Sequence, residues 1–282
     1  MNYHREPSTF VSQVNLKVSN LKQSLSFYQE VIGFKILSQT ETKAELTADG
    51  KTILLTIEQP DQVKPKQKNT TGMYHFALLL PNRSDLASIV RHFAELNIRI
   101  GSADHLVSEA LYLADPDGNE IEIYIDRNPS VWSWSGGNVA MATDPLNFND
   151  LLTREQEIEW NGLPAGTIMG HIHLHVSQLA EAEHFYTQGL GFEVMNRYGA
   201  QALFISTGKY HHHIGLNTWA GIGAPPPAPN SVGLESYLLV LPSEEARNHI
   251  IAQLKNIGAP VQEENGYYVT EDPSGNRIQL HV

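Results

Sequence analysis

The segment GHIHLHV at 170–176 sets His171, His173 and His175 on alternate positions. Alternate side chains of a β-strand leave the same face, so an extended chain here turns three imidazoles one way and Ile172, Leu174 and Val176 the other. Such a row is either a polar sheet face or a place where imidazole meets a metal. A second run, YHHHI at 210–214, brings three more histidines together. In IEIYI at 121–125, three isoleucines alternate with Glu122 and Tyr124, which puts a carboxylate and a phenol on one strand face. Cysteine is absent. That excludes disulfides, thiolate ligands and a cysteine nucleophile, and leaves His, Asp and Glu for metal chemistry.

The elements that must position these residues repeat. VNLKVSNLKQSLSFYQEVIGF (14–34) aligns without gaps to IHLHVSQLAEAEHFYTQGLGF (172–192): an alternating strand, a turn, then a helix carrying Phe-Tyr. Both helices end in a glycine, Gly33 or Gly191, suited to a left-handed cap. GMYHFALLLPNRSDLASIVRHFAELNI (72–98) likewise resembles GLESYLLVLPSEEARNHIIAQLKNIGA (233–259). Each leads into two strand-like runs joined by Asp-Pro-x-Gly-Asn, at 115–119 and 272–276, which is strong turn chemistry. Four units of strand, helix and further strands follow: 11–58, 72–126, 168–219 and 233–282. They form two segments, 1–126 and 168–282, joined by a mixed linker at 127–167; the Pro-rich stretch GIGAPPPAPN (221–230) is a stiff connection.

A chain of 282 residues with 41% hydrophobic and 18% charged residues has the balance of a globular protein with a real core. Its net charge of −12, with no basic stripe, speaks against nucleic acid as a partner. No stretch is long and apolar enough for a membrane span, and MNYHREPSTFV lacks an apolar leader, so the cytoplasm is the expected compartment and no membrane partner is expected. The Pro-rich segment leaves room for a homo-oligomer.

Four such units, FYxxxxGF after the first strand and DPDGN-x-IE at the end together resemble the vicinal oxygen chelate superfamily, which includes glyoxalase I, bleomycin- and fosfomycin-resistance proteins and extradiol ring-cleaving dioxygenases such as the catechol 2,3-dioxygenase-like enzymes. The resemblance covers nearly all of the chain outside the linkers. It implies an α+β fold in which four βαβββ units pair into two glyoxalase-like half-barrel modules, each enclosing a cleft that can hold a divalent metal. It places ligand positions at Gln13, His75, His171 and Glu235 on the first strands, and at Glu122 and Gln279 after the turns. A histidine acting as acid/base falls in the 210–217 run, and a tyrosine ten residues before the acidic ligand falls at Tyr112, where unit four has Val269.

Two pairings are open. If unit one pairs with two, the better cleft offers Gln13, His75 and Glu122, a glyoxalase-like set. If unit two pairs with three, one cleft collects His75, His171 and Glu122 beside Tyr112 and the histidine run, and the other keeps Gln13, Glu235 and Gln279 without a metal. The second pairing is preferred because every good ligand then falls in one cleft. Two histidines and one carboxylate suit Fe(II) and leave sites for substrate and oxygen; Mn, Zn or Ni also accept such ligands. Strand parity puts His211 and His213 together and His212 opposite. His213 is chosen for the cleft, with His212 kept open because the register can shift by one. His105, in SADHLVSEALYL, is expected to close over the site, whereas His173 and His175 are read as cleft lining and Trp132 and Trp134 as packing or gating residues.

The resemblance and this ligand set imply an Fe(II)-dependent extradiol dioxygenase of aromatic compound catabolism, acting on catechol or a substituted catechol with O2. His75, His171 and Glu122 would hold the metal, His213 would act as acid/base and Tyr112 would bond a substrate oxygen. The first alternative is a glyoxalase-like metal-dependent isomerase or lyase, or a thiol transferase. The second is a non-catalytic, ligand-sequestering protein of the bleomycin-resistance kind.

Overall fold

The computed structural model describes residues 3–155, 158–264 and 266–282, so 156–157 of the linker and residue 265 of unit four lie outside the described residues. Unit one contains β1 (Phe10–Lys17), α1 (Leu21–Ser26), β2 (Lys35–Gln39), β3 (Lys43–Thr47) and β4 (Leu55–Glu58). Unit two contains β5 (Gly72–Leu79), α2 (Arg83–Glu95), β6 (Gly101–Asp104), β7 (Ser108–Ala114) and β8 (Glu120–Asp126). The linker adds a small hairpin, β9 (Trp134–Ser135) with β10 (Asn138–Val139), and α3 (Phe148–Arg154). Unit three contains β11 (Ile168–His175), α4 (Leu179–His184), β12 (Glu193–Tyr198), β13 (Ala202–Ser206) and β14 (Ile214–Asn217). Unit four contains β15 (Gly233–Val240), α5 (Glu244–Asn256), β16 (Val261–Glu264), β17 (Tyr267–Glu271) and β18 (Arg277–His281).

The units pair across the linker. One eight-stranded sheet runs β16-β17-β18-β15-β1-β4-β3-β2 and joins units one and four; the other runs β12-β13-β14-β11-β5-β8-β7-β6 and joins units two and three. Each sheet therefore draws one unit from either side of residues 127–167. In the second sheet β11 lies antiparallel to β5, with Ile172 opposite Phe76 and His173 opposite His75. Ile172, Leu174 and Val176 are fully buried and share one apolar cluster with Ala182, Phe185 and Tyr186 of the unit-three helix, so the histidine face is left to the concave side. No helix among the described residues is long and apolar enough to cross a membrane.

The two repeated motifs meet each other. Tyr28 of the first Phe-Tyr donates to Asp115 Oδ2 of the first Asp-Pro-x-Gly-Asn turn at 2.9 Å, and Tyr186 donates to Asp272 Oδ2 of the second turn at 3.1 Å. Both tyrosines are fully buried. Each aspartate also holds its own turn: Asp115 accepts from the Asp117 and Asn119 backbone N–H groups at 2.9 and 2.8 Å, and Asp272 accepts from those of Ser274 and Asn276 at 2.8 and 2.9 Å. These bonds tie unit one to two and unit three to four across the two sheets. Leaving one of these buried carboxylates unpaired would be costly, which accounts for the motifs as stitching rather than chemistry. Gly33 ends the first helix at φ 91°, and a Cβ there would stand 2.8 Å from the Gly162 backbone; the linker docks through that gap, with Leu163 N–H donating to Gly33 C=O at 2.9 Å.

Candidate metal centre and cavity

Three neighbouring strands bring His171, His75 and Glu122 onto one face. On β5, Ala77 stands opposite His171 of β11 on one side and opposite Glu122 of β8 on the other, with His75 two residues earlier on the same face. The small Ala77 side chain leaves open the space that the three larger ones share. His75 Nε2 lies 3.0 Å and His171 Nε2 3.2 Å from the same oxygen, Glu122 Oε2. One ligand atom from each residue lies within 4.8 Å of the others. The residues are 5%, 1% and 3% exposed for His75, His171 and Glu122.

The electrostatics follow from this packing. Burial raises the Glu122 carboxyl, but His171 and His75 beside it overcome that and hold it well below the usual carboxylate range. Burial pulls the His171 imidazole down to about 4, against the pull of Glu122. The set is thus a carboxylate with a neutral imidazole, which is the state in which these groups bind a metal. Among the described residues, Nδ1 of His75 and Nδ1 of His171 are buried without a hydrogen-bond partner, and His75 Nε2 meets Glu122 Oε2 at 3.0 Å without hydrogen-bond geometry. Buried polar atoms left this way are expensive, and a divalent ion shared by the three side chains would supply the partner that His75 Nε2 lacks. The residues fit a metal.

The triad borders a cavity of about 390 Å³ whose lining includes His75, Glu122, Tyr112, His105, His173 and His212. Tyr112, on β7, packs its ring 5.8 Å from that of His75 and meets His105 Nε2 with its hydroxyl at 2.6 Å. The His105 Nδ1–H donates to the Ala142 carbonyl at 2.6 Å, which leaves Nε2 to accept the Tyr112 proton. Burial and the nearby Glu122 charge push the Tyr112 hydroxyl well above its usual range. Arg127 clamps Asp104, at the start of the His105 loop, through contacts of 2.7 and 2.6 Å. His173 accepts from Asn217 Nδ2 at 3.0 Å, and His175 meets Asn217 Oδ1 at 2.7 Å; neither belongs to the three-residue group.

The histidine run is arranged differently from strand parity. Residues 211–213 precede β14, which starts at Ile214, so alternation does not govern them. His212 lines the cavity with its ring 4.2 Å from that of His171. His213 points away: Nδ1 accepts from Thr207 N–H at 3.4 Å, and Nε2 donates to the Tyr3 carbonyl at 3.1 Å. With both nitrogens spent behind the site, His213 is not brought to the cavity. His211 links His212 to Asp126, with Nδ1 2.8 Å from His212 Nδ1 and Nε2 2.8 Å from Asp126 Oδ1.

Two further expectations need correction. Gln13 lies on β1 in the other sheet, so Gln13, His75 and Glu122 do not form one ligand set. Glu235 is one residue out of register: Ser236, opposite Asn15, occupies the place that His75, opposite His173, holds in the first cleft. Glu235 instead pairs with Lys17 at 2.6 Å at the surface. The second cleft carries an amide and hydroxyl network in which Gln13 donates to Asn15, and Asn15 and Gln279 donate to Ser236.

Several lining residues carried no signal in the sequence. Met141, Ala142 and Thr143 come from the linker, and Tyr74, Phe204 and Trp219 close the remaining walls. Trp132 packs at 5.7 Å against Tyr3 in a cluster with Tyr210, while Trp134 stays exposed. Asp126 and Tyr124 were legible only as strand residues.

The family model described as Glyoxalase/Bleomycin resistance protein/Dioxygenase superfamily matches residues 11–123 and 168–280. The chain is 46% identical over 278 residues to the catechol-2,3-dioxygenase of Bacillus subtilis (strain 168), covering 97% of this chain and 98% of that one. It is 23% identical over 115 residues to the glutathione transferase FosA of Serratia marcescens, covering 41% of this chain and 79% of that one. Glyoxalase I from Zea mays shares the fold at a TM-score of 0.59 and 14% identity, over 97% of this chain and 92% of that one. With matching units on both sides of the linker, sheets built as the motifs imply and a relative alike over nearly its whole length, the chain belongs to the glyoxalase/bleomycin resistance protein/dioxygenase superfamily.

Proposed function

We propose that the chain is an Fe(II)-dependent extradiol dioxygenase that opens the ring of catechol or a substituted catechol with O2, in the breakdown of aromatic compounds in the cytoplasm. The observation that carries this reading is the convergence of His75, His171 and Glu122 in one cavity with His212 and the Tyr112–His105 pair. The 46% identity to a catechol-2,3-dioxygenase supports it. Fe(II) is proposed over Mn, Zn and Ni because reaction with dioxygen calls for a redox-active ion and two histidines with one carboxylate are the set non-haem Fe(II) uses.

His75, His171 and Glu122 would hold the ion. When bound, it would supply a Lewis acid that lowers the pKa of a chelating diol and a redox centre for dioxygen. The chain's own groups handle protons and orientation. His212 lines the cavity, and among the described residues its Nε2 has no hydrogen bond; there it takes a proton from a substrate hydroxyl and later returns it. Tyr112, with its O–H given to His105, offers its oxygen to the second hydroxyl; once that oxygen ionises, the O–H turns to it. The ring bond beside the hydroxyl pair breaks, and both oxygen atoms stay in a yellow semialdehyde product.

The test is oxygen uptake by protein loaded anaerobically with Fe(II) when catechol is added. Stoichiometric uptake with yellow colour is the expected result. Bound metal with no uptake on any of several catechols would overturn ring cleavage.

A further inference from the structure

A bulge between β5 and β11 sets a ring where strict alternation would not. Met73 lies opposite Leu174 and His75 opposite His173, so Tyr74 is the extra residue between them. Such a bulge re-aims a side chain. Here it turns Tyr74 into the cavity alongside His75, with the two rings 5.1 Å apart. The other sheet repeats the bulge at Glu235, which goes to Lys17 instead. Tyr74 meets Trp219 edge-on at 5.3 Å and His173 edge-on at 5.2 Å, and Trp219 lies 5.4 Å from His173. One amide anchors this wall of three rings. Asn217 Nδ2 donates to His173 Nε2 at 3.0 Å, and Asn217 Oδ1 accepts from the Trp219 backbone N–H at 3.0 Å.

The wall has space on both sides. Tyr74 and Trp219 line the 390 Å³ cavity of the triad and also a second cavity of about 650 Å³. The floor of the second cavity is where the two connections between units meet. Lys64 N–H donates to the Asn230 carbonyl and Val232 N–H to the Lys64 carbonyl, each at 2.9 Å, and Ala228 N–H donates to Gln67 Oε1 at 2.7 Å. The Pro-rich stretch at 221–230 thereby gains a place as a stiff floor, and Met73, Pro227, Val232 and Leu234 give the second cavity an apolar side. The cavity of the triad is at the small end of ligand sites (roughly 300–1,000 Å³) and takes one ring. A second ring joined to the first exceeds it, and the larger space lies behind Trp219. Resting on the ring-cleaving reading above, we propose that Trp219, backed by the bulged Tyr74, confines the cavity to single-ring diols, and that the space behind it is a compartment for a second ring. Trp219 is 44% exposed and follows the end of β14, so trimming it removes the partition and little of the core.

The experiment compares catechol, 3-phenylcatechol and 4-phenylcatechol on the Fe(II)-loaded wild type, Trp219→Ala and Trp219→Phe, by kcat/KM in air and by calorimetric binding without oxygen. The wild type is expected to favour catechol over both phenylcatechols by about tenfold or more in each measurement. Trp219→Ala is expected to raise the ratio of at least one phenylcatechol to catechol by on the order of 10- to 100-fold, with Trp219→Phe in between. A wild type that binds and turns over the phenylcatechols as well as catechol would overturn the proposal, and so would ratios that Trp219→Ala leaves unmoved. If a phenylcatechol gains binding in Trp219→Ala but no ring consumes oxygen, the partition stands and ring cleavage falls; if no catechol binds any of the three proteins, both fall.

Discussion

His211 Nδ1 and His212 Nδ1 sit 2.8 Å apart, so one nitrogen must carry a proton and the other must not. Asp126 decides which. Its Oδ1 accepts from His211 Nε2 at 2.8 Å, which leaves His211 Nδ1 as the acceptor and puts the proton on His212 Nδ1. His212 Nε2 is then the free base of the cavity. Asp126 and His211 are positioning residues, and Asp126 is steadied by the Tyr210 hydroxyl at 3.1 Å. Replacing Asp126 with Asn removes the charge that favours a protonated His212 and lets an amide N–H reverse the chain of bonds. The expected outcome is a fall in kcat of on the order of 10- to 100-fold with little change in KM, and an acidic limb of the kcat profile moved to lower pH. A loss of stability with an unmoved limb would mean that Asp126 only braces the fold.

His212 and His213 separate chemistry from architecture. His212→Phe is expected to lower kcat by about 10²- to 10⁴-fold, the usual worth of a positioned acid/base, with the unfolding midpoint nearly kept. His213→Phe removes the bonds to the Tyr3 carbonyl and the Thr207 N–H, and is expected to cost about 1–3 kcal/mol of stability while turnover per folded molecule persists. Urea titration beside oxygen-uptake kinetics distinguishes the two; a His213 variant that folds well and is inactive would return the acid/base role to it.

How far the site could be read from residues alone depends on whether periodicity held. The ligands lie within regular strands, where Ile172 and Leu174 on one face oblige His171 to take the other, and Ile121 and Ile123 do the same for Glu122. The four units and their turns were visible because Tyr28 with Asp115, and Tyr186 with Asp272, repeat one buried bond. His212 could be kept open but not preferred to His213, because it lies in the irregular approach to β14, where no two-residue period exists. Glu235 attracted attention by its charge, though register gives its position to Ser236. Met141 and Ala142 were invisible for another reason: a linker shows its purpose only by what it covers.

Stability of the metal-free protein should fall in mildly acidic solution. Burial is the main cause that holds His213 and His4 below the ordinary histidine range, and it acts the same way on His171, His173 and His212. Their folded values lie below the unfolded one of about 6.5, so below that pH the unfolded chain binds more protons and stability rises with pH. The contribution is complete above about pH 6.5 and is lost as the pH falls from there, at ~1.4 kcal/mol per pH unit for each proton taken up on unfolding. Asp115 and Asp272, raised by burial, act in the opposite direction nearer their own range. Urea midpoints measured from about pH 7 to pH 5 should therefore decline steadily; a flat series would show that these histidines are protonated in the folded protein.

The floor of the site should tolerate no added methyl at Gly170. A Cβ there would stand 2.1 Å from the Tyr124 hydroxyl and 2.6 Å from its ring, well inside contact distance. Tyr124 cannot yield without consequence, because its hydroxyl meets that of Tyr210 at 2.7 Å and Tyr210 in turn reaches Asp126. Gly170→Ala is therefore expected to destabilise the protein by about 1–3 kcal/mol or more, as overpacking does. It should also disturb His212 through Asp126, so the folded fraction should show a lower kcat with its acidic limb displaced as in Asp126→Asn. Thermal unfolding beside a pH–rate profile reads both effects. A variant that loses stability but keeps the wild-type profile would show that the tyrosine pair supports the sheet without steering the proton.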